Sequence, residues 1–86
     1  MPRFTTSGTP DSVEIMLAAN SDRTQVIVHN MMSGAVVRVD EDREKVAESA
    51  NIIYYQDHII FRGKIASQKL YVTSDTASSL IYYTEV

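Results

Sequence analysis

The chain has no cysteine, so neither a disulfide nor a thiolate zinc site can brace it. It has two histidines and no Gly-rich phosphate loop, and neither histidine shows metal-ligand spacing or a nucleophile partner. Nucleophilic, phosphoryl-transfer and metal mechanisms therefore lack their parts, and no enzyme and no cofactor is expected. Positive charge is also short: the formal net charge is −3 and the pI about 5.2. That balance argues against nucleic acid as a main partner. No apolar run approaches the roughly 18–20 residues needed to span a bilayer as a helix, so no membrane partner is expected. The opening Met1-Pro2-Arg3-Phe4-Thr5-Thr6-Ser7 has no apolar core of signal-peptide type. The expectation is a protein made and kept in a cytoplasm, or released other than by secretion.

What is present is alternation. Val13, Ile15 and Leu17 alternate with Glu14 and Met16, the pattern of a half-buried strand. After the turn-forming Asn20-Ser21-Asp22-Arg23, Thr24–Asn30 places Val26 and Val28 on one face and Gln25, Ile27 and His29 on the other. Ser33-Gly34 marks a turn, and Ala35, Val37 and Val39 then face inward with Val36 and Arg38 outward. The two segments read as a hairpin. Further strands are expected at 51–55, 58–65, 69–73 and 79–85. Gly63 in mid-strand suggests a bulge. About seven strands at this spacing predict an all-β fold, a small antiparallel sandwich or flattened barrel. Residues 1–11, punctuated by Pro2, Gly8 and Pro10, read as a flexible arm. Residues 12–86 read as a single β domain, as the length of 86 residues suggests.

Asp40–Ala50 breaks the pattern. Its apolar residues, Val46, Ala47 and Ala50, are too few to anchor a helix, so a solvated loop with one helical turn is expected. The acidic run Asp40, Glu41, Asp42 and Glu44 suggests calcium. An EF-hand loop starting at Asp40 would need glycine where Lys45 stands and glutamate where Asn51 stands. The loop is read instead as solvated cover for an edge strand, with no metal site. The similar tetrapeptides Ile52-Ile53-Tyr54-Tyr55 and Leu80-Ile81-Tyr82-Tyr83 have unlike flanks and read as two strands, not a repeat unit.

Five tyrosines and Phe61 dominate the aromatic content. Each adjacent tyrosine pair sends one ring to either face of its sheet. Outward rings, together with Ile27, Val36 and Ile60, would form an apolar face that something should cover. A domain this small buries only about 60% of its unfolded surface and has no disulfide, so self-association is a direct route to stability. The candidate contact residues are Phe4 in the arm, Ile27, Val36, Ile60, Tyr55 and Tyr83.

Three features together resemble small structural proteins of tailed bacteriophage particles: capsid decoration (cement) proteins, head-fibre bases and tail-accessory subunits. They are the run Val26-Ile27-Val28-His29-Asn30 followed by a short turn and Ala35-Val36-Val37-Arg38-Val39, a polar middle loop, and the closing stretch Leu70-Tyr71-Val72-Thr73-Ser74-Asp75-Thr76-Ala77-Ser78-Ser79-Leu80-Ile81-Tyr82-Tyr83. The resemblance spans residues 24–86; the middle loop departs from it in carrying a charged Glu/Lys stretch in place of a Gly-rich segment. It implies a virion location, a homo-oligomer such as a trimer, and contacts with the major capsid protein or another virion protein. It implies no catalytic or ligand residues. Two other classes stay open on the residues: a regulatory module that binds one soluble protein, and a glycan- or ligand-binding β domain using exposed tyrosines as stacking platforms.

Overall fold

The computed structural model describes residues 2–86. Its strands are β1 (Arg3–Thr5), β2 (Glu14–Leu17), β3 (Gln25–Asn30), β4 (Val37–Asp40), β5 (Ile52–Ile53), β6 (His58–Arg62), β7 (Leu70–Ser74) and β8 (Leu80–Glu85). Pairing nests from the outside inward: β1 with β8, β2 with β7, β3 with β6 and β4 with β5, all antiparallel. The chain is thus one long ribbon doubled back at the charged excursion. Rolling the ribbon sets β3 also against β8, and β4 against β7. Two sheets result: sheet A in the order β1-β8-β3-β6 and sheet B in the order β2-β7-β4-β5. This is an eight-stranded jelly roll, a double-sheet solution that leaves few exposed strand edges. The all-β sandwich expected from the alternation is the architecture observed.

The core lies between the sheets and follows the period of two. Val26, Val28, Val37, Val39, Leu70, Val72 and Ile81 are all buried in it, joined by Phe61 of β6. Ile59 and Ile65 pack against its margin. The chain also places polar groups where the strands change sheet. Asn30, on the inward parity of β3, is fully buried. Its Nδ2 donates to the carbonyls of Ala35 (2.8 Å) and Ile53 (3.0 Å), and its Oδ1 accepts from Met32 N–H (2.9 Å). Arg23 is buried as well. Its guanidinium donates to the carbonyls of Ala66 and Gln68 and to Glu85 Oε1, joining the start of β3 to the helical segment between β6 and β7 and to the end of β8.

Several local expectations need correction. β3 and β4 do not form a hairpin, because residues 31–36 carry the chain from sheet A to sheet B and each strand pairs elsewhere. Alternation and a Gly turn identify strands and a reversal, but not the edges that will meet. In β2 the register shifts between Ile15 and Leu17. That bulge leaves Ile15 52% exposed while Met16 and Leu17 are both buried, reversing the faces assigned to Ile15 and Met16 but not to Leu17. The strand read as reaching Ile65 stops at Arg62, where Gly63 adopts φ 71° and opens a helical turn, α1 (Lys64–Ser67).

The stretch 1–11 is no free arm over its described residues. Arg3, Phe4 and Thr5 pair with Tyr82, Ile81 and Leu80. Thr6 Oγ1 accepts from Ser79 N–H at 2.8 Å, and Asp11 N–H donates to the Ser74 carbonyl at 2.8 Å. A strand of three residues is too short to show a period, and its backbone bonds need no particular side chains. The charged excursion does contain one 3₁₀ turn, Val46–Glu48. Val46 is fully buried while Glu41, Arg43, Glu44 and Lys45 are exposed.

Candidate functional site

The six candidate contact residues do not share one surface. Ile27 and Ile60 are direct cross-strand partners on the outer face of sheet A. Val36 precedes β4 on the outer side of sheet B, where its N–H donates to Asp75 Oδ1 at 2.9 Å. Tyr55 is 45% exposed in the turn that joins β5 to β6. Two residues face the wrong way for contact. Phe4 and Tyr83 both pack against the core. The phase of β8 explains Tyr83: Ile81 is fully buried, so the residue two along points the same way. Tyr82 is the outward ring of that pair, opposite His29.

Register builds the outer face of sheet A row by row. Thr84, Ile27 and Ile60 form one row. Arg3, Tyr82, His29 and His58 form the next, with the two imidazole rings 5.3 Å apart between centroids. Thr5 and Leu80 form a third, and Met31 N–H donates to the Leu80 carbonyl beside them. Ile60 and Met31 are each 39% exposed. A band of Ile60, Ile27, Tyr82, Leu80 and Met31 therefore crosses the sheet, interrupted by the His29–His58 pair, with Arg3 and Arg62 at its margins. The positions Tyr82, Leu80 and Met31 were not singled out from sequence. The parity of Ile81 would have found the first two, whereas Met31 lies in a loop without a period.

Sheet B carries a different outer surface. There Arg38 stands opposite Thr73 in the β4–β7 pair. With Asp11, Val36 and Asp75 they line a concavity of about 440 Å³, which Ala47 of the 3₁₀ turn and the 56% exposed Tyr54 complete. Asp75 Oδ1 is held by Val36 N–H and by Thr76 Oγ1 at 3.0 Å. Arg38 Nη1 donates to the Ser49 carbonyl at 2.8 Å. Thr73 is 6% exposed, and its Oγ1 is buried without a hydrogen-bond partner. The alternation in β4 and β7 puts Arg38 and Thr73 outward, but only the roll of the ribbon sets them beside Asp11 and Tyr54.

Among the described residues, no group of three or more His, Cys, Asp or Glu is placed to hold a metal ion. No described helix is long and apolar enough to cross a membrane. No family model, curated protein or solved structure matches this chain.

Proposed function

We propose that the chain is a structural protein of a tailed-phage particle, of the capsid-decoration type, that works by packing against copies of itself and against a protein shell. The apolar band across the outer face of sheet A carries this reading. Ile27 on the inner strand β3 and Ile60 on the edge strand β6 lie opposite each other, where an outer face left to water would be expected to alternate to polar residues. Exposed apolar surface of this kind favours a protein partner. Burial contributes about 25 cal/mol per Å² of apolar area, which matters for a domain of 86 residues without a disulfide.

The architecture is compatible with this role, since jelly rolls recur in viral capsid domains; they recur also in lectins and cupins, so the fold alone does not select it. In the proposed arrangement the band forms the subunit contacts of a symmetric oligomer, such as a trimer, and β1 is already tied to its own sheet. Phe4 then supports the fold beneath that contact and does not reach for the shell. The reading is tested by particles purified through a density gradient from a lysate of cells that carry the gene, probed with antiserum against the chain. Co-migration with intact particles is expected. Recovery of the chain only in the soluble fractions would overturn it.

A further inference from the structure

We infer that the concavity on the outer face of sheet B is a binding site for a neutral saccharide. Its volume of about 440 Å³ falls in the range of small-molecule sites, roughly 300–1,000 Å³. Its chemistry is specific. Asp11 and Asp75 are acceptors for hydroxyl protons, Arg38 is a donor to ring and hydroxyl oxygens, and Tyr54 offers an exposed aromatic ring against which the C–H face of a sugar can lie.

Two observations indicate a ligand here. The first is Thr73: more than nine-tenths of this residue is buried among the lining groups, and its hydroxyl has no partner. That oxygen has almost no accessible surface, so a ligand hydroxyl reaches it only after a turn about χ1 to another staggered rotamer, which would give the unpaired hydroxyl its partner. The second is the fixing of the polar groups before any ligand arrives. Asp75 is held through Oδ1 by Val36 N–H and Thr76 Oγ1, leaving Oδ2 to accept. Arg38 spends one nitrogen on the Ser49 carbonyl and keeps the remaining donors of its fork. Asp11 sits at φ 63°, in the left-handed region, and is pinned there by its N–H bond to the Ser74 carbonyl. Such preorganisation lowers the entropy lost on binding.

The same groups disfavour other ligands. Two carboxylates against one guanidinium repel an anion such as phosphate. A divalent cation would meet two carboxylates and a fixed positive charge, and no group of three or more acidic or histidine ligands is present among the described residues. A neutral, hydroxyl-rich molecule with an apolar face satisfies all of them at once. This inference does not depend on the assembly reading, because the concavity and the apolar band lie on opposite faces of the sandwich. If both hold, a subunit packed through sheet A presents its saccharide site to solvent.

The test is a two-dimensional ¹H–¹⁵N titration of the full chain with glucose, galactose, mannose and N-acetylglucosamine, each alone, and separately with inorganic phosphate and with lysine amide. Weak, saturable shifts in the millimolar range with at least one sugar are expected, centred on Val36, Tyr54, Thr73 and Asp75. Thr73→Val should weaken that binding about tenfold, as loss of one buried hydrogen bond does. It should leave the melting temperature unchanged or raised, because the methyl replaces an unpaired hydroxyl. Tyr54→Ala should abolish the shifts without unfolding the chain. The inference is overturned if none of the four sugars gives a saturable shift, or if the shifts survive both substitutions. Stronger binding of phosphate or lysine amide at the same residues would overturn it equally.

Discussion

Asn30→Ala removes one side-chain amide that serves three backbone groups at the point where the ribbon passes from sheet A to sheet B. The Ala35 and Ile53 carbonyls lose their donor, and Met32 N–H loses its acceptor. Each polar group left unsatisfied in a buried setting costs about 1–3 kcal/mol, so the low end of the range gives about 3 kcal/mol for the variant. A chain of 86 residues has a total stability of roughly 4–13 kcal/mol. The loss is therefore a large fraction of it, and at roughly 4–8 °C per kcal/mol the melting temperature should fall by about 12–24 °C. Thermal and urea unfolding followed by circular dichroism would measure this, with the urea m-value unchanged if only stability is affected. Asn30→Leu keeps the branched side-chain skeleton, so no cavity is left behind, but removes its hydrogen bonds. It should be destabilised comparably, and Asn30→Asp more so, because it sets a carboxylate against two carbonyl oxygens. A leucine variant as stable as the wild type, or an alanine variant that loses less than about 1 kcal/mol, would refute the role given to Asn30.

Arg23→Ala strips the donors from the Ala66 and Gln68 carbonyls and should cost about 2–4 kcal/mol in urea unfolding. Glu85→Gln should cost under about 1 kcal/mol, because the Glu85 side chain is 42% exposed and water screens its pairing with Arg23. Gly63→Ala should lose about 1–3 kcal/mol; the added Cβ meets nothing within 4 Å, so the loss would reflect φ 71° and ψ −144° alone.

The sandwich was legible because its buried residues keep a strict period of two: Val26 and Val28, Val37 and Val39, Leu70 and Val72. Where a local feature resets the phase, the faces were misread. The bulge in β2 does this to Ile15 and Met16, and the buried Ile81 sets the phase that turns Tyr83 inward and Tyr82 outward. Asn30 shares the parity of Val26 and Val28, and a polar residue at that position was a readable sign of an inner partner. The long-range pairings had no such sign. Periodicity carries no information on which edges meet, so the crossing between β3 and β4, the docking of Arg3–Thr5 on β8 and the meeting of Thr73 with Asp11 and Tyr54 emerge only once the ribbon is rolled. The candidate contact residues accordingly separate: Ile27 and Ile60 share a face, Val36 and Tyr55 lie elsewhere, and Phe4 and Tyr83 pack against the core.

Adjacent residues of β6 test most directly whether the outer face of sheet A is a packing surface. Ile60 is 39% exposed on that face, whereas Phe61 is 4% exposed in the core. Analytical ultracentrifugation of the wild type across a wide concentration range, alongside Ile60→Asp and Phe61→Asp, with circular dichroism on all three, measures both properties at once. The wild type should self-associate, Ile60→Asp should be folded but shifted toward monomer, and Phe61→Asp should be unfolded. A wild type that stays monomeric at the highest concentration, with Ile60→Asp indistinguishable from it, would contradict the packing role of that face.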